Sequence, residues 1–284
     1  MREIVTGIDF SRSSMHAFEY AVKLAAVADC DIKLVYVKKK RDIHTILPEG
    51  SKGEPISIEK AFKKLCEKHQ DSLKGKITYR VLHGKIWEEI SNQAKYTDAQ
   101  LIVAGAHGMS GYEEQWIGNN AVKIIAHSLK PVLIVKKNYK PSPKAVEKIV
   151  VPLDSTFETI QKIPYTIELA RIFKAQINIL SLYSSKIKNI EERVELNTRE
   201  ALSLVADSGL RYINEKLTCD NIAQATVDYA IKRNADLISI MSEQEFSSQN
   251  LHMGTYAQQT INLSPLPVLT HRTRVLMNSD TLLA

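Results

Sequence analysis

Short apolar runs alternate with amphipathic segments along the first half of the chain. The runs are rich in β-branched residues and predict five strands, at 3–8, 31–37, 77–83, 101–104 and 131–135. Segments with helical spacing lie between them, beginning near Ser13 and then at 56–73, 87–95 and 119–126. Strands separated by helices predict an α/β fold with a parallel sheet that is covered on both faces by right-handed crossovers.

The first predicted helix shows the apolar face that such a sheet would cover. Its spacing places five side chains on one side, namely Phe18, Ala21, Val22, Ala25 and Ala26.

The second half of the chain repeats the pattern of the first. Residues 3–9 match residues 148–154, so that Asp9 recurs as Asp154, and residues 101–133 match residues 237–269. The second copy is shorter between these blocks, and the loop at 38–55 is the place that we expect to hold the extra length of the first. Residues 138–143 have the turn chemistry of a linker. The repeat predicts two tandem doubly wound domains at 1–137 and 145–284, joined by a linker at 138–144. Each would have a five-stranded parallel sheet in the order 3-2-1-4-5 with helices on both faces.

Composition narrows the class of protein. Apolar residues are 44% and charged residues 25% of the 284 residues, which is typical of a globular chain. The net charge of +6 divides into +7 over residues 1–142 and −1 over residues 143–284. This surplus is too small to indicate nucleic-acid binding, although it favours an anionic ligand for the first half. The commoner explanation of the basic residues is a loop and a solvated helix face.

The cysteines and the apolar segments indicate the compartment. Cys30, Cys66 and Cys219 are isolated, which argues against a disulfide framework and favours a reducing environment. No apolar stretch reaches the length of a signal peptide or a membrane span. We therefore expect a cytoplasmic protein without nucleic-acid or membrane partners.

A glycine-rich segment follows the fourth predicted strand. Gly105 and Gly108 are separated by two residues, and Gly118-Asn119 opens a helix after nine more. Glycines allow close approach of a ligand, and a helix N-terminus offers unpaired N–H groups, so this spacing suits a phosphate group. The alternative is that these glycines only mark turns.

Asp9 and Gly105 follow strands one and four, between which the predicted strand order reverses. Ligands of open α/β sheets bind beyond the carboxyl ends of the strands at such a point. The Asp9 carboxylate can accept hydrogen bonds from ribose hydroxyls there. The alternative is that Asp9 is a simple N-cap of the following helix.

These features resemble the universal stress protein family in its tandem two-domain form. The resemblance rests on Asp9-Phe-Ser, on Leu-Val-Tyr-Val at 34–37, on the glycine spacing and on the closing run at 130–135. It implies ATP binding, with Mg²⁺ plausible beside it. In the site that it implies, Asp9 contacts the ribose and the backbone of Val37 the adenine edge.

The resemblance also implies roles for the glycine-rich segment. Ala104 and Gly105 would line the nucleoside, and Gly108, Gly118 and Asn119 would hold the phosphates. The family pattern has a hydroxyl residue where this chain has Asn119. An asparagine caps helices about as well as serine, and its amide can donate to a phosphate oxygen.

The second copy departs further from this pattern. Met241 and Gln244 stand in place of Gly105 and Gly108, while Glu243 and Glu245 add carboxylates where phosphates would lie. Like charges at short range oppose binding. We therefore expect that the second copy does not bind ATP in the family's manner.

The predicted function is a nucleotide-responsive stress protein rather than an efficient enzyme. No nucleophile elbow, zinc-binding helix or P-loop is present in the sequence, so no catalytic or metal-binding residue is predicted. The closing strands leave edges through which the two copies are expected to pair. Association into a homodimer and an unidentified protein partner are further expectations. The alternatives are an interaction protein that binds no nucleotide and a slow ATPase.

Overall fold

A computed structural model describes residues 1–38, 45–46, 55–107, 116–242, 244–247 and 250–273. In the part of the first half that it describes there are seven strands, two of which form a separate short antiparallel pair. The strands are β1 (Glu3–Gly7), β2 (Asp31–Lys38), β3 (Thr45–Ile46), β4 (Ile56–Ser57), β5 (Ile77–His83), β6 (Ala99–Gly105) and β7 (Val132–Val135). The helices of this half are α1 (Arg12–Ala28), α2 (Ile58–Gln70), α3 (Ile86–Lys95) and α4 (Asn119–His127).

The second half repeats the main strands and helices, but its short antiparallel pair precedes the last helix instead of the second, and its first helix begins differently. Its strands are β8 (Lys148–Leu153), β9 (Gln176–Tyr183), β10 (Tyr212–Thr218), β11 (Leu237–Met241), β12 (Gln244–Ser247), β13 (Asn250–Met253) and β14 (Val268–His271). Its helices are α5 (Ile163–Phe173), α6 (Lys188–Asp207), α7 (Ile222–Lys232) and α8 (Thr255–Leu263). A 3-10 helix at Phe157–Ile160 precedes α5.

Ten strands form one continuous sheet. Their order is β10-β9-β8-β11-β14-β7-β6-β1-β2-β5. Within each half the five strands follow the order 3-2-1-4-5, and neighbours within a half run parallel. The predicted fold class is therefore confirmed in both copies.

The two halves are joined through their closing strands. β7 and β14 pair antiparallel, with Leu133 opposite Leu269. Apolar residues of both halves pack together on each face of the combined sheet. β7 and β14 would each be an edge strand in a single copy, and here they cover each other. This is expected because an exposed strand edge promotes aggregation.

Two cations reinforce this pairing in an almost symmetric way. Lys136, directly after β7, donates from Nζ to the carbonyl oxygen of Asn262 in α8 at 2.6 Å. Arg272, directly after β14, donates from Nη1 to the carbonyl oxygen of His127 in α4 at 3.5 Å. Each cation thus binds carbonyl groups at the C-terminal end of the other half's helix, where unpaired carbonyls and the helix dipole favour positive charge. Burial lowers the pKa of Lys136.

The predicted linker is packed against both halves. Tyr139 is buried, and its ring meets that of Tyr20 edge to face at 5.5 Å. Its hydroxyl donates to the carbonyl oxygen of Asp236, and its own carbonyl accepts a hydrogen bond from Nε2 of His16. Tyr139 therefore contacts residues of both halves.

Two local predictions need correction. Ala26 is exposed on α1, and Leu24 takes its place on the buried face. The helix predicted from residue 56 begins at Ile58, because Ile56–Ser57 forms β4 and Ser57 provides the N-cap by accepting a hydrogen bond from the Lys60 amide. Over the described residues, no helix combines the length and apolar character needed to cross a membrane.

Candidate functional site

The candidate site lies at the carboxyl ends of β1, β2 and β6. Gly7 of β1 pairs with Val35 of β2, and Thr6 pairs with Val103 of β6. Asp9, Val37 and Gly105 lie two residues after Gly7, Val35 and Val103 respectively. The structure therefore brings all three to one edge of the sheet, at the crevice where the strand order reverses.

Asp9 organises the turn between β1 and α1. Its Oδ1 accepts hydrogen bonds from the backbone amide of Ser11 at 3.0 Å and from the Ser11 hydroxyl at 2.6 Å. Ser11 is the N-cap of α1, since its Oγ accepts a hydrogen bond from the Ser14 amide. The reading of Asp9 as a simple N-cap is therefore wrong: Asp9 supports the residue that caps the helix.

The residue after Asp9 has an unusual backbone conformation. Phe10 has a φ of 62°, in the left-handed region that bulky residues rarely adopt. Its buried ring packs against Phe62 at 4.9 Å and Tyr36 at 6.1 Å, which fixes this conformation. Backbone strain of this kind costs about 1–3 kcal/mol and is often found at functional sites.

Val37 presents its backbone to the crevice. In a parallel ladder, alternate residues direct their N–H and C=O groups to the same neighbouring strand. The carbonyl of Val35 accepts a hydrogen bond from the Ile8 amide on the β1 side. The backbone groups of Val37 consequently point to that side as well, just beyond the place where β1 ends, while its side chain is buried in the core.

Gly105 is required by a close contact between β6 and α1. A Cβ atom on Gly105 would lie 2.5 Å from Oγ of Ser13 and 2.8 Å from the Ser13 carbonyl oxygen. Ser13 also accepts a hydrogen bond at Oγ from the His107 amide at 3.3 Å. Helix packing is thus sufficient to demand a glycine here, with or without a ligand. The neighbouring Ala104 has its side chain buried in the core.

Helix α4 begins beside the end of β6. The Gly118 amide donates to the carbonyl oxygen of Ala106 at 2.8 Å, which returns the chain to the point where it left the sheet. Gly118 is the N-cap and provides no side-chain cap, and Asn119 is exposed at the first helical position. Among the described residues, no side chain at the N-cap satisfies the amides of the first turn, which are the groups that a helix start leaves unpaired. Gly108 lies outside the described residues.

The second copy preserves the turn after its first strand. Oδ1 of Asp154 accepts hydrogen bonds from the Thr156 amide at 2.9 Å and from the Thr156 hydroxyl at 2.6 Å. The Gly254 amide donates to the carbonyl oxygen of Ser242, as Gly118 does to Ala106. The ends of the loop are therefore held in the same way in both copies.

The loop of the second copy contains a pair of short strands. Residues Gln244–Ser247 and Asn250–Met253 form a β-hairpin, and Met253 packs into the core with residues of α4. Met241, at the position of Gly105, is buried. The 3-10 helix stands where the first turn of α1 would be, so the close contact that requires a glycine in the first copy is rearranged. Glu243 is outside the described residues, and the side chains of Gln244 and Glu245 are not described.

A buried polar cluster lies beneath the second copy's crevice. The hydroxyl of Thr166 donates to the carbonyl oxygen of Lys162, and Oγ of Ser239 lies 2.8 Å from Oγ1 of Thr166. Nε2 of His271 lies 2.9 Å from Oγ of Ser239. Because Thr166 uses its proton on the carbonyl, Ser239 donates to Thr166 and His271 donates to Ser239 through Nε2–H.

The first copy has an apolar core at the same place. The residues equivalent to Lys162, Thr166, Ser239 and His271 are Ala17, Ala21, Val103 and Val135. Burial, together with the nearby Lys162 charge, lowers the pKa of His271 to about 3. The cluster is closed to solvent, so these groups act in packing rather than in contact with a ligand.

Several of these residues were not found by sequence reasoning. The role of Ser13 depends on the approach of β6 to α1, which the sequence does not show. The role of Ser11 depends on its hydrogen bonds to Asp9, for which the Asp-x-Ser spacing is a usable signal. A usable signal for the polar cluster of the second copy is that its four polar residues align with apolar residues of the first copy. Across the described ranges, no group of three His, Cys, Asp or Glu side chains converges as a metal site.

Comparison with known proteins places the chain in a family. The model of the Universal stress protein family matches residues 1–136. A universal stress protein of Methanocaldococcus jannaschii is 32% identical over 147 residues, which cover 49% of this chain and 84% of that protein. A universal stress protein of Mycobacterium tuberculosis is 21% identical over 311 residues, covering 95% of this chain and 94% of that protein.

A solved structure shares the complete fold. The crystal structure of a universal stress protein from Archaeoglobus fulgidus matches with a TM-score of 0.73 at 16% identity, covering 95% of this chain and 98% of that one. Together with the duplicated sheet, these similarities lead to one assignment. The chain belongs to the universal stress protein family, as a tandem member with two copies of the fold.

Proposed function

We propose that the first copy binds ATP in the crevice between β1 and β6, and that the protein is a nucleotide-responsive regulator rather than an efficient enzyme. The carrying observation is the convergence of three recognition elements at this crevice. They are the outward-facing backbone of Val37, the Asp9 carboxylate and the start of α4 without a side-chain cap. These elements suit a base, a sugar and phosphates respectively.

Each part of ATP has a chemically suitable neighbour in this proposal. The N–H and C=O groups of Val37 would pair with the donor and acceptor on the adenine edge. The Asp9 carboxylate, whose Oδ1 accepts hydrogen bonds from Ser11, would also accept hydrogen bonds from ribose hydroxyls. Ala104 and Gly105 would border the nucleoside.

The phosphates would lie at the first turn of α4. Gly108, Gly118 and Asn119 would hold them through backbone N–H groups and the Asn119 amide, with support from the helix dipole. Mg²⁺ would arrive with the phosphates and be held mainly by their oxygens and by water. The first turn of α4 contains no acidic residue that would oppose this charge.

The proposal assigns the two halves different tasks. Its domains are residues 1–137, which bind the nucleotide, and residues 145–284, which do not, with a connecting segment at 138–144. A regulator requires that ATP bind one conformational state more tightly than another. A second copy of the whole chain and an unidentified protein are the further partners, and the three free cysteines favour the cytoplasm.

A charge reversal at the start of α4 tests the site. Asn119→Asp places a carboxylate where phosphates would lie, which should weaken ATP binding about tenfold or more through repulsion. The same carboxylate favours the helix N-terminus, so the fold should be retained. Isothermal titration calorimetry measures the affinity, and thermal unfolding checks the fold.

The second copy offers a matched control for this test. Thr255→Asp makes the same change at the equivalent first position of α8. It should leave ATP affinity within about twofold of the wild-type value. Equal loss in both variants, or unchanged binding in Asn119→Asp, would reject the assignment of the phosphates to α4.

One observation favours an interaction protein that binds no nucleotide. The hydrogen bonds at Asp9 recur at Asp154, in the copy whose glycine loop is lost, so this turn can serve helix initiation alone. Mass spectrometry of small molecules released from the gently purified protein separates the two functions. Co-purified ATP or ADP supports the nucleotide site, and phosphate release above the Asn119→Asp background would instead indicate a slow ATPase.

A further inference from the structure

A hydrogen bond crosses from the second copy to the start of α4. The side-chain Oδ1 of Asn262, near the end of α8, accepts a hydrogen bond from the Ile117 amide at 2.7 Å. Ile117 directly precedes Gly118, the N-cap of α4. A residue of the copy without a glycine loop therefore contacts the segment that leads into the proposed phosphate site.

Asn262 is itself fixed by the first copy. Its backbone carbonyl accepts the hydrogen bond from Nζ of Lys136 at 2.6 Å, directly after β7. The antiparallel pairing of β7 with β14 holds the two halves together beside this contact. Asn262 is thus held between the end of β7 and the segment before α4, and neither half alone could form this arrangement.

Two successive amides set the start of α4, and their acceptors come from different halves. The Gly118 amide binds the carbonyl oxygen of Ala106 at 2.8 Å within the first copy. The Ile117 amide binds Asn262 of the second. Because Gly118 offers no side-chain cap, these bonds are major constraints on the direction of the first helical turn.

The arrangement is not reciprocal, which indicates that it serves the first copy. The position equivalent to Asn262 in α4 is Ala126, whose side chain has no amide group. Lys136 and Arg272 each donate to a backbone carbonyl of the other half, so these contacts are nearly symmetric. The hydrogen bond from Ile117 to the Asn262 side chain is the part that differs. The half with the proposed nucleotide site receives the additional hydrogen bond.

We infer that Asn262 is a positioning residue for the phosphate-binding start of α4, so that the second copy completes the nucleotide site of the first. This inference rests on the proposed function and adds a role for the degenerate copy. Asn262 acts through the Ile117 amide and does not contact the ligand. Its effect should therefore be confined to the part of the affinity that the phosphates provide.

The test compares ATP with adenosine in variants of the full chain. Asn262→Leu keeps the approximate side-chain volume and removes the acceptor, whereas Asn262→Asp keeps an acceptor oxygen. Asn262→Leu should weaken ATP binding about three- to tenfold, the range expected for one lost hydrogen bond, and leave adenosine affinity within about twofold. The exposed same-helix control Gln259→Ala should bind ATP as the wild type does. Asn262→Asp adds a charge that repels phosphates, so it is compared through exchange of the Ile117 amide, which should stay as slow as in the wild type.

Residue-resolved hydrogen exchange of the ligand-free protein provides a second measurement. The Ile117 amide should exchange about three- to tenfold faster in Asn262→Leu than in the wild type or in Gln259→Ala. Equal losses of ATP and adenosine affinity, or unchanged ATP affinity, would overturn the inference.

Binding of ATP and adenosine by the wild-type protein separates failure of the proposed function from failure of the role of Asn262. If the wild type binds neither ATP nor adenosine, the proposed function fails, and the role of Asn262 for the phosphates falls with it. If the wild type binds ATP but the Ile117 amide exchanges equally fast in Asn262→Leu and the wild type, the positioning role of Asn262 is rejected and the proposed function is not. If Asn262→Leu fails to fold, Asn262→Ser and Asn262→Asp are compared by exchange of the Ile117 amide, and equal exchange rates in both would overturn the inference.

Discussion

His271 is buried where the first copy has Val135. It donates a hydrogen bond to Ser239 and lies near the Lys162 ammonium and the Tyr165 ring. Burial and the Lys162 charge lower the pKa of His271 to about 3 in the folded protein. An unfolded histidine has a pKa of about 6.5, so the folded state binds fewer protons between these two values.

The resulting prediction concerns stability against pH. As pH falls from about 6.5 toward 3, proton uptake by His271 in the unfolded state should lower the free energy of unfolding, by up to about 1.4 kcal/mol per pH unit. The combined variant Thr166→Ala, Ser239→Val and His271→Val restores the first copy's residue types at three of the four positions of the cluster and leaves Lys162. Urea unfolding across this range should show a smaller pH slope for the variant. An unchanged slope would show that His271 does not govern acid stability.

The Asp9 turn shows what sequence can and cannot assign at the scale of a residue. Spacing places Asp9 at the end of a strand and before a helix, and the structure agrees. It does not decide which of two nearby polar residues caps the helix, because Asp9 and Ser11 both satisfy the pattern. The hydrogen bonds decide between them, because Oδ1 of Asp9 accepts from Ser11 while Oγ of Ser11 accepts from the Ser14 amide.

At the scale of elements, the contact between α1 and β6 distinguishes the two copies. The first turn of α1 approaches Gly105 so closely that a Cβ atom would meet the Ser13 backbone. In the second copy a 3-10 helix occupies this place and Met241 is buried instead. The glycine and the helix start therefore change together.

Gly105→Ala tests this dependence. The added methyl group should displace the start of α1 and lower the free energy of unfolding by about 1–3 kcal/mol, the usual cost of overpacking. Chemical unfolding measures the loss. Gly209→Ala is a control with a left-handed φ of 70° and no neighbour within 4 Å of the added atom. Its cost of about 1 kcal/mol should come from the backbone alone.

A second measurement separates packing from backbone effects. Gly105→Ala should also increase hydrogen exchange in the first turn of α1, which Gly209→Ala should leave unchanged. Full stability and unaltered exchange in Gly105→Ala would contradict the close contact.

Helix and strand positions were largely predictable, because a periodicity of apolar residues reports local burial. The short pair β3 and β4 was not predicted, since two-residue strands leave no periodic signal. The hairpin of β12 and β13 was also missed, because the alignment presented that segment as a degenerate loop. In both cases the strands are defined by pairing rather than by their own composition.

At the scale of the whole molecule, the two copies act as one folded unit. The ten-stranded sheet continues through β7 and β14, and Tyr139 of the connecting segment packs against both halves. The repeat in the sequence predicted two domains and their pairing edges. It could not show Asn262 beside Ile117, because a contact between residues so far apart in sequence exists only after the sheets have joined.

This organisation gives the degenerate copy a physical role. It covers the open edge of the first sheet, provides carbonyl groups for Lys136 and holds the Ile117 amide. The positive surplus of the first half and the negative balance of the second agree with one anionic ligand per chain. The central claim is therefore a single nucleotide site in the first copy.

The stoichiometry of ATP binding tests this claim most directly. Isothermal titration calorimetry of the full chain, after removal of any co-purified nucleotide, should give one ATP per chain. ATP affinity should fall about tenfold or more in Asn119→Asp and be retained in Thr255→Asp. Two ATP molecules per chain, or a single site that Thr255→Asp removes and Asn119→Asp leaves intact, would contradict the account, as would the absence of any binding.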